Sequence, residues 1–122
     1  MTIISSELPV IDIAYLEDMR EWVGDDTLRT LIDDAPASIA AELASISQSW
    51  QADDLHAVRE NGHRLKGAAG SLALRRLADL GHTVQRIDDL ADGQVLGLLE
   101  DTAAEALRAL ADYRATKLLP AA

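Results

Sequence analysis

The stretch 62-GHRLKGAAG-70 places three glycines within nine residues, in a region whose apolar spacing is otherwise that of a helix. A glycine inside a helix costs about 1 kcal/mol relative to alanine. Three cost roughly 3 kcal/mol, a sizeable part of a small domain's net stability. The apolar positions around them, Leu55, Val58, Gly62, Leu65, Ala69 and Leu72, advance by alternate steps of three and four, as one buried helix face does. On a helical wheel His63 lies about 130° from the centre of that face and so projects outward. His56, Arg59 and Glu60 precede it on the outer side, and Lys66, Gly67 and Gly70 follow. Gly62 falls on the core side, where it would let a neighbouring helix close in. Gly67 and Gly70 instead strip side chains from the surface beside an exposed imidazole.

Working outward, helix formers dominate the chain, and period-two alternation of β-branched residues is nearly absent. Five helices are expected. The first covers about 12–22, capped by Asp12, with Leu16, Met19 and Val23 inward. The second covers about 26–50 through Leu28, Leu31/Ile32, Ala35, Ile39, Leu43, Ile46 and Trp50, with a kink or short break at Pro36. Asp53 or Asp54 caps a third at about 54–72. A fourth covers about 75–91 through Leu77, Leu80/Gly81, Val84, Ile87 and Ala91. A fifth covers about 94–116 through Val95, Leu99, Ala103, Ala106, Leu110 and Tyr113, and 117-KLLPAA frays. Four long amphipathic helices with short connections make an all-α, up-down antiparallel four-helix bundle, with the short first helix closing one end. The expectation is a single domain over 1–122, its core about 10–116, between short flexible tails.

Net charge is −10, which argues against nucleic acid as a partner, since that binding rests on many Lys and Arg contacts to phosphate. The charge is uneven. Residues 59–86 hold six cations (Arg59, Arg64, Lys66, Arg75, Arg76, Arg86) against Glu60 and Asp79, while elsewhere five cations face nineteen acids. A basic zone on an acidic protein suggests an anionic target; chance clustering on a solvated face is the plain alternative. Cysteine is absent, so no thiolate site or disulfide framework exists. The first residues lack the basic start of a secretion signal, and no apolar run approaches the ~18 residues of a membrane span. A cytoplasmic protein, free of membrane and monomeric, is the expectation.

Taken singly, an exposed His, an exposed Lys and small surface residues are all ordinary. The joint pattern H-x-x-K-G-x-x-G on an outer helix face is not. A cleared surface suits a macromolecule that must reach His63, since a free small molecule would want a concave apolar pocket. Neutral imidazole has a lone pair on one nitrogen and can accept a phosphoryl group and pass it on. Lys66 would offset the charge on the phosphoryl oxygens.

At 63-HRLKGAAGSLAL-74 the sequence resembles the signature of histidine phosphotransfer (HPt) domains, roughly H-x-L-K-G followed by small residues. The segments 31-LIDDAPASIAAEL-43 and 77-LADLGHTVQRI-87 are similar to the family's second helix and to the helix beside its histidine. The resemblance spans about residues 10–115. It implies a bundle with an extra N-terminal helix, His63 as the phosphoryl acceptor through Nε2, Lys66 contacting the phosphoryl group, and Gly67 giving the partner access. It implies a carrier, not an enzyme with kinase activity of its own, working with response-regulator receiver domains or a hybrid histidine kinase. It implies no intrinsic cofactor, the Mg²⁺ coming with the receiver. Gln85 matches a position where a polar residue supports the imidazole in some members; it reads equally well as an ordinary helix residue. Arg59, Arg64, Gly67 and Gly70 would form the partner-binding surface, and on charge Arg59, Arg64, Arg75 and Arg76 would steer the acidic receiver pocket toward it. The chain departs from the family at Gly62, where Ala is usual, at Ala73, where Gly is frequent, and at Leu74, where a small residue is common. It departs also at Ala68, which replaces a frequent Ser, and at Leu31, where Phe is typical. Gly70 also occurs in the HPt-like domain of chemotaxis kinases, so the subgroup stays open.

Three other readings fit less well. A sensor-kinase dimerisation domain carries an acid directly after its histidine, and here Arg64 follows; 122 residues also leave no room for an ATP-binding domain. A metal site built on His56 and His63 would need two ligands about 10.5 Å apart along the helix axis to share one ion. An adaptor of the same fold, binding receivers without phosphotransfer, would have no need of both His63 and Lys66.

Overall fold

The computed structural model describes residues 8–118. Five helices follow one another: α1 (Ile13–Val23), α2 (Asp25–Gln51), α3 (Leu55–Ser71), α4 (Arg75–Gln85) and α5 (Gln94–Lys117). Among the described residues there is no strand. Helix α3 packs between α2 and α4, α5 closes the ring against both α2 and α4, and α1 lies on α2. The chain is therefore an all-α four-helix bundle with an extra N-terminal helix. One continuous core fills it, from Leu16 and Met19 of α1 through Leu28, Ile39, Ile46, Val58, Leu65, Leu77 and Leu80 to Leu99, Leu110 and Tyr113.

The ends of the helices follow from local chemistry. Asp12 caps α1 by accepting from the Tyr15 amide at 3.1 Å, and the same bond, with Arg75 behind it, holds the Asp12 carboxyl below its usual range. Between α2 and α3, Asp53 sits at φ 56° while Asp54 N–H reaches back to Ser49 O at 3.0 Å. Asp54 then caps α3 through the Ala57 amide at 3.0 Å. The α3–α4 corner repeats the device. Ala73 sits at φ 64°, with Leu74 N–H on Ala69 O at 2.9 Å and Ala73 N–H on Gly70 O at 3.1 Å. This left-handed helix stop normally uses glycine. Here the stops carry Asp and Ala, while three glycines stand inside a helix.

Several expectations need correction. Helix α4 ends at Gln85, not near 91. Arg86 and Ile87 bond back only three residues, to Thr83 and Val84. Beyond them Asp89 accepts from the Ala91 amide at 2.9 Å and Asp92 from the Gln94 amide at 3.0 Å. Aspartates that bond nearby backbone in this way compete with a helix, so Ile87 is half-buried and Ala91 exposed. Of the kink or short break expected at Pro36, the break is absent: α2 runs on through it, with Ile32 and Ala35 before it and Ile39 and Leu43 after it buried in the same core. Val23 and Leu31 are exposed, since α1 stops at the Gly24 turn and Ile32 takes the inward place. Trp50 is half-buried, and Ser49 turns inward in its stead. Lys117 is helical and Leu118 fully buried, so the C-terminal stretch does not fray from 117. The expected flexible tails at 1–7 and 119–122 lie outside the described residues.

Cross-ties lock the helices. Tyr113 donates to Glu17 Oε1 at 3.2 Å, and burial first, then Glu17, pushes its pKa up to about 12. Arg20 pairs with Asp25 at 2.8 and 3.2 Å across the α1–α2 corner, and Arg114 reaches Asp33 at 3.0 Å. A tyrosine whose folded pKa lies above its unfolded value favours the folded state while protonated and loses that contribution as pH rises from about 10 to about 12. The unfolding free energy from urea titrations should fall across that window by an amount on the order of 2–3 kcal/mol, and Tyr113→Phe should remove most of the fall. Replacing Ala73 with Gly should relieve the positive φ and raise stability by about 0.5–1 kcal/mol, read as a higher thermal midpoint.

Candidate functional site

The site begins with how closely α3 and α4 approach. A Cβ added at Gly62 would stand 2.7 Å from the Gln85 backbone nitrogen and 2.8 Å from Val84 Cγ1. A Cβ at Gly81 would stand 2.8 Å from the Lys66 backbone nitrogen. The two glycines face each other across the helix pair, and no side chain fits between. The core-side role expected for Gly62 is what the packing shows; its counterpart, Gly81, was legible only as a second glycine inside a neighbouring helix.

On the outer side the same helix is bare. A Cβ at Gly67 or at Gly70 would meet nothing within 4 Å. His63, Arg64, Lys66, Gly67 and Gly70 are all exposed. His63 makes no hydrogen bond or ion pair among the described residues. It opens, with His56, Arg59, Glu60, Arg64 and Gln85, onto a depression of ≈ 710 Å³. The hollow is lined by the side chains of polar and charged residues.

The expected residues divide by position. Gln85 reaches the His63 depression and is half-buried, but its side chain makes no bond to the imidazole; Oε1 is buried without a donor. Arg59 Nε donates to the Gln85 backbone oxygen at 3.1 Å, where a cation suits the end of α4. Arg64 is unpaired among the described residues. Lys66 turns across to α4, its Nζ 3.3 Å from His82 Nδ1, a contact the sequence reading missed because it joins two helices. Arg75 and Arg76, part of the same basic stretch, are engaged elsewhere. Arg75 pairs with Asp12 at 3.0 Å; Arg76 pairs with Glu105 at 3.0 Å and donates to Leu8 O at 2.6 Å. Arg59 and Arg64, which line the His63 depression, are thus left without a carboxylate, while Arg75 and Arg76 tie the bundle together. His56 pairs with Glu60 at 3.0 Å, and among the described residues no three His, Asp or Glu side chains converge on a metal position. Among those residues no helix is long and apolar enough to cross a membrane.

The family profile of the Hpt domain matches residues 14–114. The chain belongs to the Hpt domain family. Among curated proteins it is similar to the aerobic respiration control sensor protein ArcB of Escherichia coli K12, 32% identical over 79 residues. The homonymous protein of Shigella flexneri matches equally, 32% identical over 79 residues. That alignment covers 65% of this chain and 10% of each relative, so the chain spans about a tenth of the proteins it matches. No solved structure matches it significantly. Histidine phosphotransfer in a phosphorelay is the function of this Hpt domain, and carriage of a phosphoryl group is the family's chemistry.

The two kinds of glycine should separate on mutation. Gly62→Ala or Gly81→Ala should lower stability by about 1–3 kcal/mol, because backbone must move. Gly67→Ala should raise it by up to about 1 kcal/mol through helix propensity. Thermal unfolding of the single variants checks both signs.

Proposed function

We propose that His63 is the residue that carries the phosphoryl group, received from the aspartate of a response-regulator receiver domain and returned to another. The observation that carries this reading is an imidazole exposed on α3, without a polar partner among the described residues, beside two glycines whose flanks are empty. In the transfer the lone pair on Nε2 attacks phosphorus, the acyl O–P bond breaks, and the aspartate leaves as carboxylate while the Nε2–P bond forms. The ring keeps its Nδ1 proton and gains positive charge. Gln85 Oε1, buried and lacking a donor, is suited to accept from that N–H and to hold the tautomer that frees Nε2. Lys66 supplies positive charge to the phosphoryl oxygens.

Arg59 and Arg64 draw the acidic receiver pocket toward the surface cleared at Gly67 and Gly70. A Mg²⁺ that supports transfer would come with the receiver. The domain is a carrier without kinase activity of its own, works as a monomer whose bundle closes its own core, and acts in the cytoplasm with receiver domains or a hybrid kinase. Retention of both His63 and Lys66 favours the carrier over a receiver-binding adaptor.

Incubation with a phosphorylated receiver domain, followed by intact mass, tests the proposal. His63→Gln should abolish the mass gain while leaving receiver binding intact, and Lys66→Met should slow it by about tenfold or more. Phosphorylation that persists in His63→Gln would refute it.

A further inference from the structure

The ammonium of Lys66 has one polar contact among the described residues, His82 Nδ1 at 3.3 Å. An ammonium has no lone pair, so Nδ1 accepts and the ring proton sits on Nε2. His82 is thus held in the tautomer that makes Nε2 a donor, and it is not a second nucleophile there. Lys66 and His82 share a depression of ≈ 340 Å³ with Leu8, Arg75, Ala78 and Asp79. His63 lines a different one, which Lys66 does not line. The charges in the Lys66 hollow favour a cation there. Asp79 has no ion pair among the described residues, while Arg75 is drawn off by Asp12. The contact is built by the helix pairing. Gly81, next to His82, is the residue whose missing side chain lets the backbone of Lys66 close in.

We propose that His82 is a positioning residue, a holding station for Lys66. While His63 is unloaded, Nδ1 keeps the ammonium on the α4 side; when His63 carries a phosphoryl group, Lys66 leaves His82 for the anionic oxygens. The direction follows from charge, since the anionic phosphoryl oxygens attract an ammonium by a Coulomb term that a neutral ring nitrogen does not offer. This rests on the reading of His63 as carrier and of Lys66 as its charge partner. Its consequence is that the station competes with the phosphoryl group for Lys66.

The test loads the protein from phosphoramidate, whose P–N bond breaks as the Nε2–P bond of His63 forms and ammonia leaves, with intact mass as the readout. His82→Leu should load about two- to tenfold faster, the range a surface hydrogen bond provides. His82→Asn, whose Oδ1 stands close to where Nδ1 stood, should load like the parent. Adding His82→Leu to Lys66→Met should change nothing further. An unchanged or slower rate in His82→Leu, or the same gain without Lys66, overturns the station. If His63→Gln still loads, it is the carrier assignment that fails instead. A second measurement needs no variant. The chain has two lysines, Lys66 and Lys117, and in the parent protein the ammonium protons of Lys66 should exchange more slowly with water by NMR. Equal exchange at both overturns the proposal.

Discussion

Everything at the site hangs on the contact between Gly62 of α3 and Gly81 of α4, where the backbones meet without a side chain between them. That approach puts the end of α4 against the outer flank of α3. It lets Gln85 reach the depression in front of His63 and sets His82 beside Lys66. It also gives Arg59 a backbone carbonyl to hold at the end of α4. A methyl group at either glycine would push the helices apart and move each of these contacts together, since packed interiors transmit such displacement.

The glycines of α3 serve two different needs, and the distinction explains why their helix penalty is tolerated. Gly62 answers to packing. Gly67 and Gly70 answer to nothing within the molecule, for their outward sides are empty. They leave the surface beside His63 bare, and that bareness is what the proposed approach of a partner would use. The stops at Asp53 and Ala73, where glycine would relieve a positive φ, show that glycine is not placed wherever backbone geometry would favour it.

Charge shows the same division of labour. The basic stretch from Arg59 to Arg86 looks uniform along the chain, yet the folded molecule sorts it. Arg75 and Arg76 bind Asp12, Glu105 and the backbone of Leu8, which fastens the N-terminal segment and α5 to the start of α4. Arg59 and Arg64 remain without a carboxylate beside His63, where their field is available to a partner.

Helix identity, most of the inward faces and the projecting His63 were legible in the sequence, because each depends on periodicity within one segment: Val58, Leu65 and Ala69 face inward wherever that helix is put. The Asp12 cap was legible for the same reason, as a bond that spans three residues; the cap of α3 was legible as Asp53 or Asp54, and the fold chose Asp54. The end of α4 was not, because Asp89 and Asp92 satisfy nearby amides and override the apolar spacing of Ile87 and Ala91. Nor were the pairing of Gly62 with Gly81, the turn of Lys66 toward His82, or the sorting of the arginines. Those depend on which helix lies next to which, and residues sixteen or more positions apart meet only when the bundle closes. The chain by itself determined what each helix presents; the packing of α3 on α4 decided what each presented group finds.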